Sequence, residues 1–111
     1  MARNTYIELP VADAGRAKAF YAAAFGWMFT DFGPTYASTL DGAGDVGLQA
    51  DAPERTAALL PVFAVDDLEA TLAAVEAAGG VVTRPIFAFP GGRRFHFRDP
   101  DGHELAAMRP D

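Results

Sequence analysis

The chain has 111 residues and no cysteine; half of its residues are hydrophobic and 22% are charged. That suits one compact domain with a packed core, and it excludes disulfides, thiolate zinc sites and cysteine nucleophiles. Nine basic against fifteen acidic residues leave a formal net charge of −6, which argues against a general nucleic-acid binder, because displacing counterions from phosphates needs clustered positive charge. No apolar run reaches the ~18 residues of a membrane span. The first residues lead into a strand-like run without a signal-peptide core, so a cytoplasmic protein with no membrane or nucleic-acid partner is expected.

The chain opens with a short apolar strand, Tyr6-Ile7-Glu8-Leu9, followed by Val11-x-Asp13. The aspartate is placed to cap a helix by accepting bonds from its free N–H groups. Ala17, Phe20, Tyr21 and Ala24 then fall at helical spacing on one apolar face, with Phe20 and Phe25 expected in the core, and Gly26 ends the helix. Three strands are expected near Trp27–Thr30, Thr35–Leu40 and Asp45–Ala50, with turns at Gly33-Pro34 and Asp41–Gly44. After the polar stretch 51–58 the grammar starts again. Val62–Val65 is a strand, and Val65-x-Asp67 repeats Val11-x-Asp13 at an offset of 54. Leu68, Leu72 and Val75 line a second helix, and Gly79-Gly80 closes it. Strands near Val81–Pro85, Arg93–Arg98 and Glu104–Met108 follow, separated by Pro90–Gly92 and Asp99–Gly102. The pattern is βαβββ twice, an α+β chain in which module one covers about 4–50, a linker 51–58, and module two about 59–108.

Val11-Ala12-Asp13, Ala19-Phe20-Tyr21, Phe25-Gly26-Trp27, Val65-Asp66-Asp67-Leu68, Ala77–Gly80 and Phe97–Gly102 stand in an order that resembles the vicinal oxygen chelate superfamily. This group contains glyoxalases, extradiol dioxygenases and bleomycin-resistance proteins, and the chain is most similar to its small one-domain glyoxalase-related bacterial members. The resemblance implies tandem βαβββ modules forming curled mixed sheets around a concave cleft, in a single domain spanning 1–111. It also implies a homodimer, swapped or side by side.

Members that do chemistry hold a divalent metal with His and Glu on four strands. Aligning the motifs puts those positions at Tyr6, Gly47, Leu60 and Ala106. Three of these carry no donor, and a lone phenol, with a reference pKa near ~10, is a poor ligand. No metal and no cofactor are therefore expected. A displaced site would have to draw on Glu8, Glu104 and either His96 or His103, although Glu104 and His103 are as well explained by solvation and local turn bonding.

Strand alternation puts Glu8 on one face with Tyr6, Gln49 with Gly47, and Glu104 with Ala106. An inward carboxylate is costly unless it is paired or wet, which makes Glu8 the leading candidate for a ligand contact or general base. Trp27, Phe29 and Tyr36 are expected to add aromatic walls. Arg84, Arg93, Arg94 and Arg98 with His96 form a local positive segment that could orient an anionic substrate between Phe87, Phe89 and Phe95. The simpler reading is a solvated strand and loop whose arginines pair with surplus acids. Alternation there favours buried Phe95 and Phe97 and an accessible His96.

The expected ligand-binding set is thus Tyr6, Glu8, Trp27, Tyr36, Gln49, Arg94, His96 and Glu104. The expected function is metal-independent binding of a small organic molecule, a metabolite or an antibiotic. The alternative is a lyase or isomerase related to glyoxalase with Glu8 or His96 as catalytic base, with or without a displaced metal. A third reading is a scaffold with no pocket.

Overall fold

The computed structural model describes residues 2–111. Its elements run β1 (Arg3–Pro10), α1 (Ala14–Phe25), β2 (Thr30–Asp31), β3 (Tyr36–Ser38), β4 (Asp45–Gln49), β5 (Leu60–Ala64), α2 (Leu68–Ala77), β6 (Val81–Phe89), β7 (Gly92–Arg98) and β8 (Glu104–Pro110). The chain divides into two compact units, Thr5–Leu60 and Pro61–Asp111, with residues 2–4 grouped with the latter.

Both units are built alike. In the first, the strands order as β2-β3-β4-β1, with β1 parallel to β4 and the other pairs antiparallel. In the second the order is β6-β7-β8-β5, with β5 parallel to β8 and the rest antiparallel. The parallel pair follows from the helix, because a crossover is needed to bring the chain back in the same direction.

The caps explain where the helices start and stop. The Asp13 side chain accepts from the backbone N–H of Arg16, and Asp67 does the same for Ala70. Each aspartate satisfies one of the orphan donors of a first turn. Gly26 ends α1 at φ 71°, a left-handed conformation that costs glycine little.

The helices bury themselves very differently. Leu68 of α2 is fully buried and joins Val65, Phe95 and Ala107 in a core that Leu72, Val75, Val82, Ile86 and Phe97 extend. In α1 only Ala14 is buried. Phe20 and Phe25, expected in the core, are 62% and 61% exposed. Their rings find one another instead: Phe20 meets Tyr21 edge-on, and Phe25 packs with Tyr21 and Trp27. The second strand is shorter than expected, and the residues before it belong to the same cluster. Trp27 stacks on Tyr21 and Phe29 packs against Trp27, while Thr30–Asp31 pairs with β3.

Candidate functional site

Two groups of polar side chains stand out, one in each unit. In the first, β1 supplies Tyr6 and Glu8, and β3 supplies Tyr36 and Ser38. In both strands the pair is two residues apart and so shares a face. The Tyr6 and Tyr36 hydroxyls hydrogen-bond to each other. Tyr6 Oη also donates to Ser38 Oγ at 3.0 Å, and Tyr36 Oη donates to Glu8 Oε1 at 3.1 Å. Ser38 Oγ donates to the carbonyl of Thr39. Tyr36 thus ties the pair to the Glu8 carboxylate, which is only 1% exposed. Burial, followed by the charge of Glu8, pushes the Tyr36 hydroxyl well above its ordinary pKa and keeps it a donor at neutral pH.

Gly47 on β4 makes this arrangement possible. A Cβ built at Gly47 would run into the hydroxyls of both Tyr6 and Tyr36. The two phenols thus fill the volume that any side chain at position 47 would need. Of the four positions implied for a metal, Gly47, Leu60 and Ala106 offer no donor atom, and Tyr6 spends its hydroxyl on Tyr36 and Ser38. These residues do not fit a divalent cation. Among the described residues no group of three or more His, Asp or Glu is placed to hold one.

The remaining first-unit candidates go elsewhere. Gln49 is buried, but its Oε1 turns back to accept from the N–H of Asp51. Trp27 belongs to the aromatic cluster on α1. With Met28, Phe29, Leu40 and Val46 it lines an open depression of about 520 Å³.

In the second unit, β7 and β8 bring His96 and Glu104 together. His96 Nδ1 lies 3.4 Å from Glu104 Oε2, and Thr83 Oγ1 donates to the same oxygen at 3.1 Å. His96 is not accessible as expected: it is 3% exposed, and Phe95 on the other face is 0% exposed. β7 lies between β6 and β8, and Phe95 and His96, on its opposite faces, are both buried. Burial, and then the positive charge of Arg94, lower the His96 pKa; Glu104 pulls the other way and Arg84 adds to the lowering. The imidazole is therefore neutral near pH 7, with its proton favoured on Nδ1 beside the carboxylate.

The arginines do not form one solvated segment. Arg93 pairs with Glu69 at 2.8 Å and Arg98 donates to the carbonyl of Gly102. Arg94 is 8% exposed. His103 engages its own turn, its N–H donating to Asp99 and its carbonyl accepting from the Asp99 N–H.

Sequence reasoning missed Ser38 and the part played by Gly47. The spacing Tyr36-x-Ser38 was the available signal for the first. For Gly47, the signal was a glycine inside an apolar strand, which marks close approach by another group.

Known proteins agree with this architecture. Residues 4–107 match the Glyoxalase/Bleomycin resistance protein/Dioxygenase superfamily. A protein of Mycobacterium bovis named "Putative glyoxylase CFP32" is 31% identical, over 87% of this chain and 41% of its own length; the protein of that name from Mycobacterium tuberculosis matches equally. The chain thus spans less than half the length of the curated relatives it matches. Among solved structures, the Mn(II)-bound glyoxalase from Novosphingobium aromaticivorans is 28% identical with a TM-score of 0.71, covering 98% of this chain and 40% of that one. A superfamily member from Vibrio splendidus is 19% identical with a TM-score of 0.72, covering 98% of this chain and 99% of that one, which is a likeness of fold alone. With this match over nearly its whole length, the chain belongs to the Glyoxalase/Bleomycin resistance protein/Dioxygenase superfamily.

Proposed function

We propose that this domain binds a small organic molecule, a metabolite or an antibiotic, without a metal. The observation that carries the reading is the pair of tyrosine hydroxyls seated over Gly47, where the family resemblance implies a ligand side chain. A fixed row of hydroxyls ending on a buried carboxylate suits recognition of a polar group on an organic ligand. The aromatic depression beside Trp27 offers apolar surface in the same unit. The protein acts in the cytoplasm as a homodimer. Exposed Phe20, Phe25 and Met28 support a second copy as partner.

Thermal-shift and calorimetric screens of cationic glycopeptides and aromatic metabolites test the reading. Saturable binding, unchanged by a chelator and weakened at least about tenfold in Tyr36→Phe, is expected. Stoichiometric nickel, zinc, iron or manganese in protein purified without a chelating tag overturns it, as does a failure of every compound class to bind.

A second reading is supported by the burial of Glu8: a lyase or isomerase with Glu8 as base, or His96 in the second unit. Turnover in a glyoxalase assay that is lost in folded Glu8→Gln would favour it over simple binding.

A further inference from the structure

The depression beside Trp27 lies on the side of the first unit's sheet that the hydroxyl row does not use. Val46 lines it, and Gly47 follows on β4. Successive strand residues point to opposite faces, and the Gly47 face is the one the two phenols occupy. Its volume of about 520 Å³ falls in the range of small-molecule pockets.

The residues that shape it are held in place. Trp27 stacks on Tyr21 at 5.4 Å and packs with Phe25 at 5.0 Å, so two rings of α1 brace the indole. The loop 40–44 is closed by Asp45, whose carboxylate accepts from the N–H of Asp41 at 2.7 Å, the N–H of Gly42 at 2.8 Å and Thr39 Oγ1 at 2.8 Å. Thr39 Oγ1 accepts in turn from the Val46 N–H at 3.0 Å. These bonds spend the polar groups of Thr39 and Asp45 within the chain. Asp41 is different. It is the one ionisable group among the described residues lining the depression. Its N–H serves the loop, but its carboxylate has no hydrogen bond or ion pair with any described residue. The depression thus combines an aromatic wall with a negative charge, and no basic residue lines it.

We propose that this depression binds a flat aromatic cation, stacked on Trp27 with its positive charge turned toward Asp41. The inference goes beyond the reading above by naming a second site, on the opposite face from the hydroxyl row. A tryptophan face attracts cations more strongly than any other aromatic side chain. The Asp41 carboxylate can meet a cation without giving up an existing partner, whereas an anion would face both Asp41 and the neighbouring Asp45. Met28, 86% exposed on the same rim, carries a flexible thioether that adapts to a bound ring.

Trp27 is the single tryptophan of the chain, so its emission reports on the site directly. The test titrates the full chain at low salt with N-methylquinolinium and with quinoline, which is neutral near pH 7, following Trp27 emission and calorimetric heat. N-methylquinolinium is expected to change the emission saturably and to bind about tenfold more tightly than quinoline, with the difference shrinking as salt is added. Asp41→Asn removes a charge but no side-chain bond of the folded chain. It should weaken N-methylquinolinium about threefold or more and leave quinoline unchanged. Tyr36→Phe, which disturbs the other face, should leave both affinities as they are. Equal binding of the two compounds, an affinity untouched by Asp41→Asn, or binding heat without a change in Trp27 emission overturns the inference. Emission that shifts on dilution of the protein and not with N-methylquinolinium also overturns it, and gives this face to a second copy. Binding lost in Tyr36→Phe assigns the compound to the hydroxyl row, so this inference falls while the reading above stands. If metabolites or glycopeptides bind and N-methylquinolinium does not, the outcome is the same; if nothing binds, both fall.

Discussion

In the first unit, Glu8 and Ser38 flank Gly47 across the ladder; in the second, Val62 and His96 flank Ala106 at the same places. Two residues along, Tyr36 in one ladder corresponds to Arg94 in the other, the first facing Gln49 and the second Met108. Duplication has kept the backbone pairing and let the side chains diverge. One copy became phenols and a carboxylate, and the other an imidazole and guanidinium groups. The helices diverged too, since α2 carries a buried leucine into a core and α1 keeps its aromatics outside. Strand register is set by backbone hydrogen bonds that every residue but proline can make in full, so it tolerates substitutions that rewrite the chemistry of a face.

The sharpest way to break the comparison is to empty the second core. Phe95→Ala should cost about 3–5 kcal/mol in urea unfolding, because a fully buried ring leaves a cavity. A smaller effect is expected from Gly47→Ala in the first unit, about 1–3 kcal/mol, since its Cβ meets two hydroxyls. Combining it with Tyr36→Phe should recover part of that loss, whereas the matching change in the second unit, Ala106→Gly, meets no such pair and should show no such coupling. pH separates the units further. The folded pKa of His96 is depressed, so the unfolded chain binds its proton first as the pH falls. Stability should therefore hold above about pH 6.5 and decline below it until folded His96 also titrates. Unfolding measured at several pH values in the parent and in His96→Gln checks this; an identical acid decline in both removes His96 as the cause. The smallest effect is expected on the outside of α1. Phe20→Ala should change the stability of a dilute sample by no more than about 0.5 kcal/mol, and a concentration-dependent loss would show that the ring is covered by a second copy.

The repeat was legible because its signals are local. Val-x-Asp before each helix and a glycine at the end of the first act through backbone bonds that need no partner far away in sequence. Tyr6 and Glu8 were legible for a similar reason, because alternation along one strand needs only that strand. The rest depended on contacts no single segment carries. Whether Phe20 is buried depends on what α1 meets, and Phe20 met Tyr21. Alternation divided β7 into two faces but could not say that both are covered, so His96 was expected to be open. The meeting of the Arg84 guanidinium with the Phe87 ring depends on a bulge in β6, and strict two-residue periodicity assumes that none exists.

Gly47 constrains the sequences open to the first unit as much as its present shape. To supply a cation ligand, a mutation at that position would first meet the two phenols already lodged there, and removing the phenols first would empty a buried network while adding no ligand. Each single step is unfavourable, so a donor at that position calls for changes in step, and the glycine acts as a gate in sequence space.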